Sequence, residues 1–361
     1  MNDKKISIYG HEMSKQELLK HVGDISQIAD IRLFEFTNGN ERGVRAAEFY
    51  TGSGLEFTVL FDRAMDIDDA KFKGVPVSWQ SQTGPVSPAF YDNRGINWLY
   101  QFYGGLLVTC GPTNVGVPGT DQGEELGLHG RISNTPAKDI SVKKEWIGND
   151  YVMSVEGHMD VAALFLNSIR VSRRIEARLG ESRLFLRDTI ENIGFAPSPF
   201  SMLYHCQVGW PILSAGSQLY IRHKDRRPWT LGQVNMDKWN TFGPPTAGFA
   251  EEMIYFTAEP DDEGMANAAV INPNFNDGRG YGIYYRWSTQ TMPYLATWRM
   301  LGEKAYVVGM ELSNSIAEGR AANREAGILR TLAPDEIVES HVEIGLLTGP
   351  EEIEAWKAKY A

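Results

Sequence analysis

Three ionisable side chains stand where packing alone does not call for them. His129 lies between two glycines in Gly127-Leu128-His129-Gly130-Arg131, with Arg131 two positions on. His205 follows Tyr204 in the apolar run "SMLYHCQVGWPIL" at 201–213. Glu311 sits inside the apolar stretch "YVVGMELSNS" at 306–315. Histidine titrates close to neutral pH. A carboxylate on an apolar strand either faces water or is buried with a raised pKa. A histidine and a carboxylate of this kind suit paired general acid–base work. Each also has an ordinary alternative: a hydrogen-bonded structural histidine, or a glutamate solvated on an edge strand.

These residues need a scaffold, and the pattern around them is mostly strand. "LEFTVLFD" (55–62) and "SIRVSRRIEARL" (168–179) alternate apolar and polar residues with period two. "RLFLRDTIEN" (183–192), "YGIYYRWST" (281–289), "AYVVGMELS" (305–313) and "HVEIGLLTG" (341–349) are rich in branched and aromatic residues. Helices are few. Ser14-Lys15-Gln16-Glu17 is a capping-box pattern, with the helix expected to stop near Gly23. "PEEIEAWKAKYA" places Pro350 and acids in the first turn of a C-terminal helix. There is no βαβ alternation, so the class is all-β, with antiparallel sheets packed as a sandwich or closed as a barrel. Two long stretches, 76–137 and 222–250, read as irregular but ordered loops, because they carry Trp79, Trp98, Tyr100, Trp229 and Trp239. Aromatic faces beside planar polar groups are the surface a sugar ring needs, with C–H faces against rings and hydroxyls against polar atoms.

Composition narrows the classes. The 361 residues carry a formal net charge of −11, which gives no overall field for a phosphate backbone. The best basic patch, "RHKDRR" at 222–227, is short and interrupted by Asp225. Cys110 and Cys206 have neither CxxC nor metal-ligand spacing and read as reduced thiols. The segment "MNDKKISIYGHEMSKQ" has no apolar core of signal-peptide length, and no run suits a membrane helix, so a cytoplasmic protein is expected. There is no Walker loop, dinucleotide glycine fingerprint, HExxH or GxSxG. "NDGRGYG" (276–282) reads as a hairpin turn. Asp62, Asp66, Asp68 and Asp69 cluster in "FDRAMDIDD"; without calcium-loop spacing they read as a solvated strand end rather than a metal site.

At this point the residues resemble a family, the aldose 1-epimerase (galactose mutarotase-like) superfamily, and within it the branch called DUF4432. The resemblance spans most of the chain. Its markers are "FDRAMDI" (61–67), "GGLLVTCGPTNVG" (104–116), "LGLHGRISNTPA" (126–137), "ENIGFAPSPFSMLYHCQVGWPILSAGS" (191–217), "VVGMELSN" (307–314) and "LAPDEIVESHVEIGLLTG" (332–349). It implies one domain over 1–361, a large antiparallel β-supersandwich with a few short helices and an N-terminal extension over about 1–45. It implies His129 as a sugar-binding histidine, His205 as general acid and Glu311 as general base. Two departures stand out: Arg131 follows the second glycine where simpler mutarotases have "NHxHGG", and Leu312 follows the glutamate where proline is usual.

Such an enzyme opens a cyclic hemiacetal. One group removes the anomeric proton while another protonates the ring oxygen, and neither metal nor cofactor is required. His205 would then be protonated near neutral pH and supported by an anion, with Glu311 ionised and hydrogen-bonded. Arg131, Arg63 and Arg299 are further substrate-binding candidates, since guanidinium suits hydroxyl pairs or a distal anion; structural salt bridges are the alternative for Arg63 and Arg299. The glycines around His129 are expected to let the backbone approach the ligand. The partner is a small-molecule sugar or sugar derivative, with no nucleic acid and no membrane; a homodimer is left open. Two other classes stay in view: a noncatalytic carbohydrate-binding protein on the same scaffold, and a sugar isomerase or epimerase acting on a keto-sugar or sugar acid, which would want a metal.

Overall fold

The computed structural model describes residues 5–361, so the first four residues of the N-terminal extension lie outside it. Every pairing between named strands is antiparallel among the described residues. An eight-stranded sheet runs in the spatial order Lys138–Ile147, Asp150–Ala162, Ser168–Arg178, Arg183–Asn192, Ile337–Thr348, Tyr281–Ser288, Met265–Asn272, Gln218–Ile221. A six-stranded sheet runs Val108–Cys110, Leu203–Val208, Val307–Ser313, Tyr294–Met300, Glu252–Ala258, His223–Pro228. A five-stranded sheet runs from Asp30–Glu35 through Arg45–Tyr50, Leu55–Leu60 and Asp66–Phe72 to Val75–Pro76.

One core joins these sheets. Val171, Ile175 and Leu186 from the first sheet, Cys206 and Met310 from the second, and Phe49 and Phe57 from the third belong to a single buried cluster. Ile6, Ile8 and Leu18 of the N-terminal segment join it as well. The capping box at Ser14 forms as the sequence suggests, and its helix, Lys15–Leu19, ends before Gly23 is reached. The C-terminal helix Gly349–Tyr360 presses Ile353 and Trp356 on Ala269, Ile271 and Leu347. The turn at 276–282 joins Met265–Asn272 to Tyr281–Ser288 as an antiparallel pair, with Asn276 and Asp277 at positive φ. Among the described residues no helix is long and apolar enough to cross a membrane.

The strand pleat sorts the six-stranded sheet into two chemistries. On Leu203–Val208, Tyr204, Cys206 and Val208 point into the main core, while Leu203 belongs to a second cluster on the opposite face. His205 and Gln207 share that second face with Leu203 by the same period of two. Register does the rest. His205 pairs with Glu311, Glu311 with Ala296, and Trp298 with Met253 across successive neighbouring strands. Residues from four strands are therefore brought side by side by pairing alone.

Two sequence expectations are corrected here. The stretch 222–250 is not wholly irregular, since His223–Pro228 is the edge strand of the six-stranded sheet. Its residues are nearly all solvated, so no alternation marks it. The aspartates at 62–69 are not a solvated strand end either: Asp62, Asp66 and Asp68 are buried. Asp62 pairs with Arg45 at 2.6 Å. Asp66 accepts from Arg173 Nη1 at 2.9 Å and from Thr109 Oγ1 at 2.6 Å. Arg173 also holds Asp188 at 2.7 Å, and Asp188 accepts from Tyr204 Oη at 2.8 Å. This buried network grips the His205 strand twice: through Tyr204 itself, and through Thr109 on the strand whose Val108 pairs with His205.

Candidate functional site

His205 and Glu311 lie on the floor of a cavity of ≈ 280 Å³ on the second face of the six-stranded sheet. His205 Nε2 is 3.2 Å from Glu311 Oε1. Both side chains are almost wholly buried. Gly309, two residues before Glu311, makes the contact sterically feasible. A Cβ there would come within 2.9 Å of His205 Cε1 and 3.1 Å of Glu311 Oε1.

Gln207 sets the histidine's tautomer. Its amide nitrogen is 2.6 Å from the backbone oxygen of His205 and 2.6 Å from His205 Nδ1. A carbonyl oxygen only accepts, so the amide atom beside it must be the NH₂. That NH₂ donates to Nδ1, and the proton of neutral His205 is left on Nε2, facing Glu311.

His129 closes the cavity from the loop side. Its ring centre is 5.8 Å from that of His205 and 4.7 Å from that of Trp98. Its backbone is left-handed, with φ of 57°. The backbone N–H of Gly116 donates to Nδ1 at 3.3 Å, so a neutral ring carries its proton on Nε2. The flanking glycines answer to the protein's own backbone rather than to a ligand. A Cβ on Gly127 would meet the carbonyl oxygen of Asn93 at 2.0 Å, and one on Gly130 that of Gly111 at 2.6 Å. The expectation that they open the loop to ligand is thus corrected: they let the loop pack tightly enough to fix His129.

Aromatic rings form the walls. Phe102 lies 5.2 Å and Trp298 5.6 Å from the His205 ring, and Trp98 stacks on Phe102 at 4.7 Å. Trp229 and the apolar side chains of Leu128, Met253, Ile96, Leu99 and Val117 also line it, with the exposed Glu251 at the mouth.

Burial governs the charges. It pushes Glu311 up to about 8, with the negative charge of Glu251 adding to the effect. It pushes His205 well below 6.5, with His129 contributing in the same direction. It lowers His129 to about 4. In the free protein the His205–Glu311 pair thus holds one proton at neutral pH, resting on the carboxyl. The sequence expectation placed that proton on His205; a dry aromatic pocket favours the arrangement without separated charges. The group beside His205 is the Glu311 carboxyl, neutral in the free protein where an anion was expected.

Residues 41–346 match the family model described as "Domain of unknown function (DUF4432)". The chain belongs to the DUF4432 family. Among curated proteins none matches by sequence. Among solved structures, the DUF4432 chain is similar to a candidate aldose 1-epimerase from Klebsiella pneumoniae subsp. pneumoniae MGH 78578. The TM-score is 0.84 at 22% identity, covering 96% of this chain and 90% of that one. A galactose mutarotase-like protein from Clostridium acetobutylicum matches with a TM-score of 0.58 at 15% identity, covering 89% and 99%. Galactose 1-epimerase from Lactobacillus acidophilus NCFM matches at 0.52 and 11%, covering 89% and 100%. The fold of the DUF4432 chain is galactose mutarotase-like.

The three nominated arginines lie outside the DUF4432 cavity. Arg63 is buried and donates to the carbonyl oxygens of Ser133, Val86 and Gln101 at 2.6, 2.8 and 3.0 Å. It staples the loops that carry Trp98 and His129. Arg299 follows Trp298, so the pleat turns it to the other face; it donates to the carbonyl oxygens of Lys238, at 3.0 Å, and Thr241. Arg131 is exposed and lines a separate cavity of ≈ 510 Å³. Sequence reasoning missed Gln207 and Glu251. Gln207 had a signal, since it stands two residues from His205 on one strand; Glu251 had none.

Proposed function

We propose that the protein is an aldose 1-epimerase-like enzyme that interconverts sugar anomers by acid–base chemistry without a cofactor. The observation that carries this reading is the His205 Nε2–Glu311 Oε1 contact of 3.2 Å on the floor of an aromatic-walled cavity. Glu311 Oε2 supports it, being buried with no hydrogen-bond partner and so able to accept from an anomeric hydroxyl.

In the ring-opening step Glu311 takes the proton of the anomeric hydroxyl while His205 gives one to the ring oxygen. The bond from C1 to the ring oxygen breaks, and the aldehyde turns about C1–C2. In closure the carboxyl returns a proton to the carbonyl oxygen, and the imidazole takes one from the C5 hydroxyl. Each group serves as acid and base once per turnover, and the pair carries one proton throughout. Opening starts from ionised Glu311 and doubly protonated His205; since Nε2 already carries a proton, the one the carboxyl releases goes to Nδ1, and Gln207 turns its NH₂ away from that atom as it does so. His129, held neutral by burial, would donate from Nε2 to a sugar hydroxyl.

The pH profile follows with its sign fixed. Above about 8 the pair loses its single proton, leaving a base but no acid. Well below 6.5 His205 gains a second proton, leaving an acid but no base. kcat/KM for anomer exchange is therefore expected to be flat near neutrality and to fall on both sides. A value still rising between pH 8 and 10 would mean that Glu311 works as a lone base.

His129→Ala should raise KM by roughly 3- to 10-fold, the worth of one hydrogen bond, with a smaller effect on kcat. Steady-state exchange rates over a range of sugar concentrations check this. An unchanged KM would remove His129 from the sugar contacts.

A further inference from the structure

The cavity's lining is selective in what it leaves out. Among the described residues no lysine or arginine lines it; the charged side chains there are the carboxylic acids Glu311 and Glu251. A phosphate or carboxylate on the substrate would meet negative charge with no cation to pair it. The indole donors are mostly spent. Trp98 Nε1 donates to Ser133 Oγ at 2.9 Å, and Trp298 Nε1 to Glu251 at 2.8 Å. Trp229 Nε1 is buried without a partner. Beyond the catalytic pair, the side-chain groups left for hydroxyls are that N–H, the His129 ring and the Glu251 carboxylate.

The reaction fixes how a sugar must lie. Its anomeric hydroxyl goes to Glu311 and its ring oxygen to His205. The carbon beside the ring oxygen, C5, carries the exocyclic C6 group, which therefore falls next to His205. Three rings surround the imidazole there: the apolar faces of Phe102 and Trp298 at 5.2 and 5.6 Å, and His129 at 5.8 Å, whose Nε2–H is the donor assigned above to a sugar hydroxyl. A hydroxymethyl group placed against the Phe102 and Trp298 faces would lose water and gain no partner, whereas a methyl group would pack.

We propose that this site takes a neutral aldose deoxygenated at C6, a 6-deoxyhexose, in preference to its 6-hydroxy parent and to sugar phosphates or uronic acids. The inference rests on the acid–base reading of His205 and Glu311.

The test compares matched sugars by exchange NMR: L-fucose with L-galactose, L-rhamnose with L-mannose, and D-fucose with D-galactose, D-galacturonate and D-galactose 6-phosphate. The expected result is a kcat/KM about 10- to 100-fold higher for the 6-deoxy member of at least one pair, the range one unmatched hydroxyl gives in an apolar pocket, with no exchange of the anionic sugars. Equal or faster exchange of the 6-hydroxy parents in every pair, or turnover of either anion, would overturn the inference and leave the acid–base reading standing. Binding of the same sugars to the Glu311→Gln variant, followed by tryptophan fluorescence, separates the two claims. Tighter binding of the 6-deoxy member without exchange by wild type would uphold the site's preference and sink the reaction. Binding without that preference, or no binding, would overturn the preference itself.

Discussion

Glu311→Gln should lower kcat for anomer exchange by about 10²- to 10⁴-fold, the contribution of one well-placed acid–base group. The amide has the carboxylate's shape but cannot take the anomeric proton. It also cannot carry the proton that the His205 pair shares across 3.2 Å. The fold should survive, because Oε2 has no protein partner to lose and the amide is uncharged, as the buried carboxyl is in the free protein. Exchange rates and thermal unfolding of the variant check both halves. Activity within about tenfold of wild type would take Glu311 out of the chemistry. His205→Asn removes the other half of the same pair and should behave alike.

The second large effect lies outside the cavity. Arg173→Met should destabilise the protein by about 3–5 kcal/mol, because it strands Asp66 and Asp188, two buried carboxylates that the guanidinium now pairs. Denaturant unfolding measures this directly. The consequence should reach the site, since Asp188 holds Tyr204 and Asp66 holds Thr109, and these flank His205 on its own strand and the next. A loss below about 1 kcal/mol would mean that the two acids find other partners.

The network explains why the motif "FDRAMDI" is informative for the wrong reason. In the sequence its Arg63 looks like a substrate-binding residue and its Asp66 like a solvated acid. In the fold Asp66 anchors a strand and Arg63 ties loop carbonyls together. Charged residues that pay for burial with full pairing cannot be told from site residues by composition alone. Long strands were legible because they alternate or run apolar for many residues: Ser168–Arg178 and Arg183–Asn192 fall where the pattern puts them. The edge strand His223–Pro228 was not, since a strand wet on both faces has no pattern to read.

At the site, His129, His205 and Glu311 were legible as ionisable residues in places where packing gives no reason for them, and the fold brings them to one cavity. What joins them was not legible. The pairing of His205 with Glu311 is a register between strands about a hundred residues apart, and register is set by the whole sheet. The direction of Arg299 depended on one step of the pleat, which Trp298 uses up. Gln207 became meaningful only once its amide was seen against a carbonyl oxygen.

The most direct measurement is two-dimensional exchange NMR on free sugars with the wild-type protein at neutral pH, with and without EDTA. Cofactor-free acid–base epimerisation requires cross-peaks between α and β anomers to build up faster with protein than without, and EDTA to leave that rate unchanged. A sugar that binds the cavity yet exchanges no faster than in buffer would contradict it, and a rate abolished by EDTA would do the same in favour of a metal-dependent isomerase.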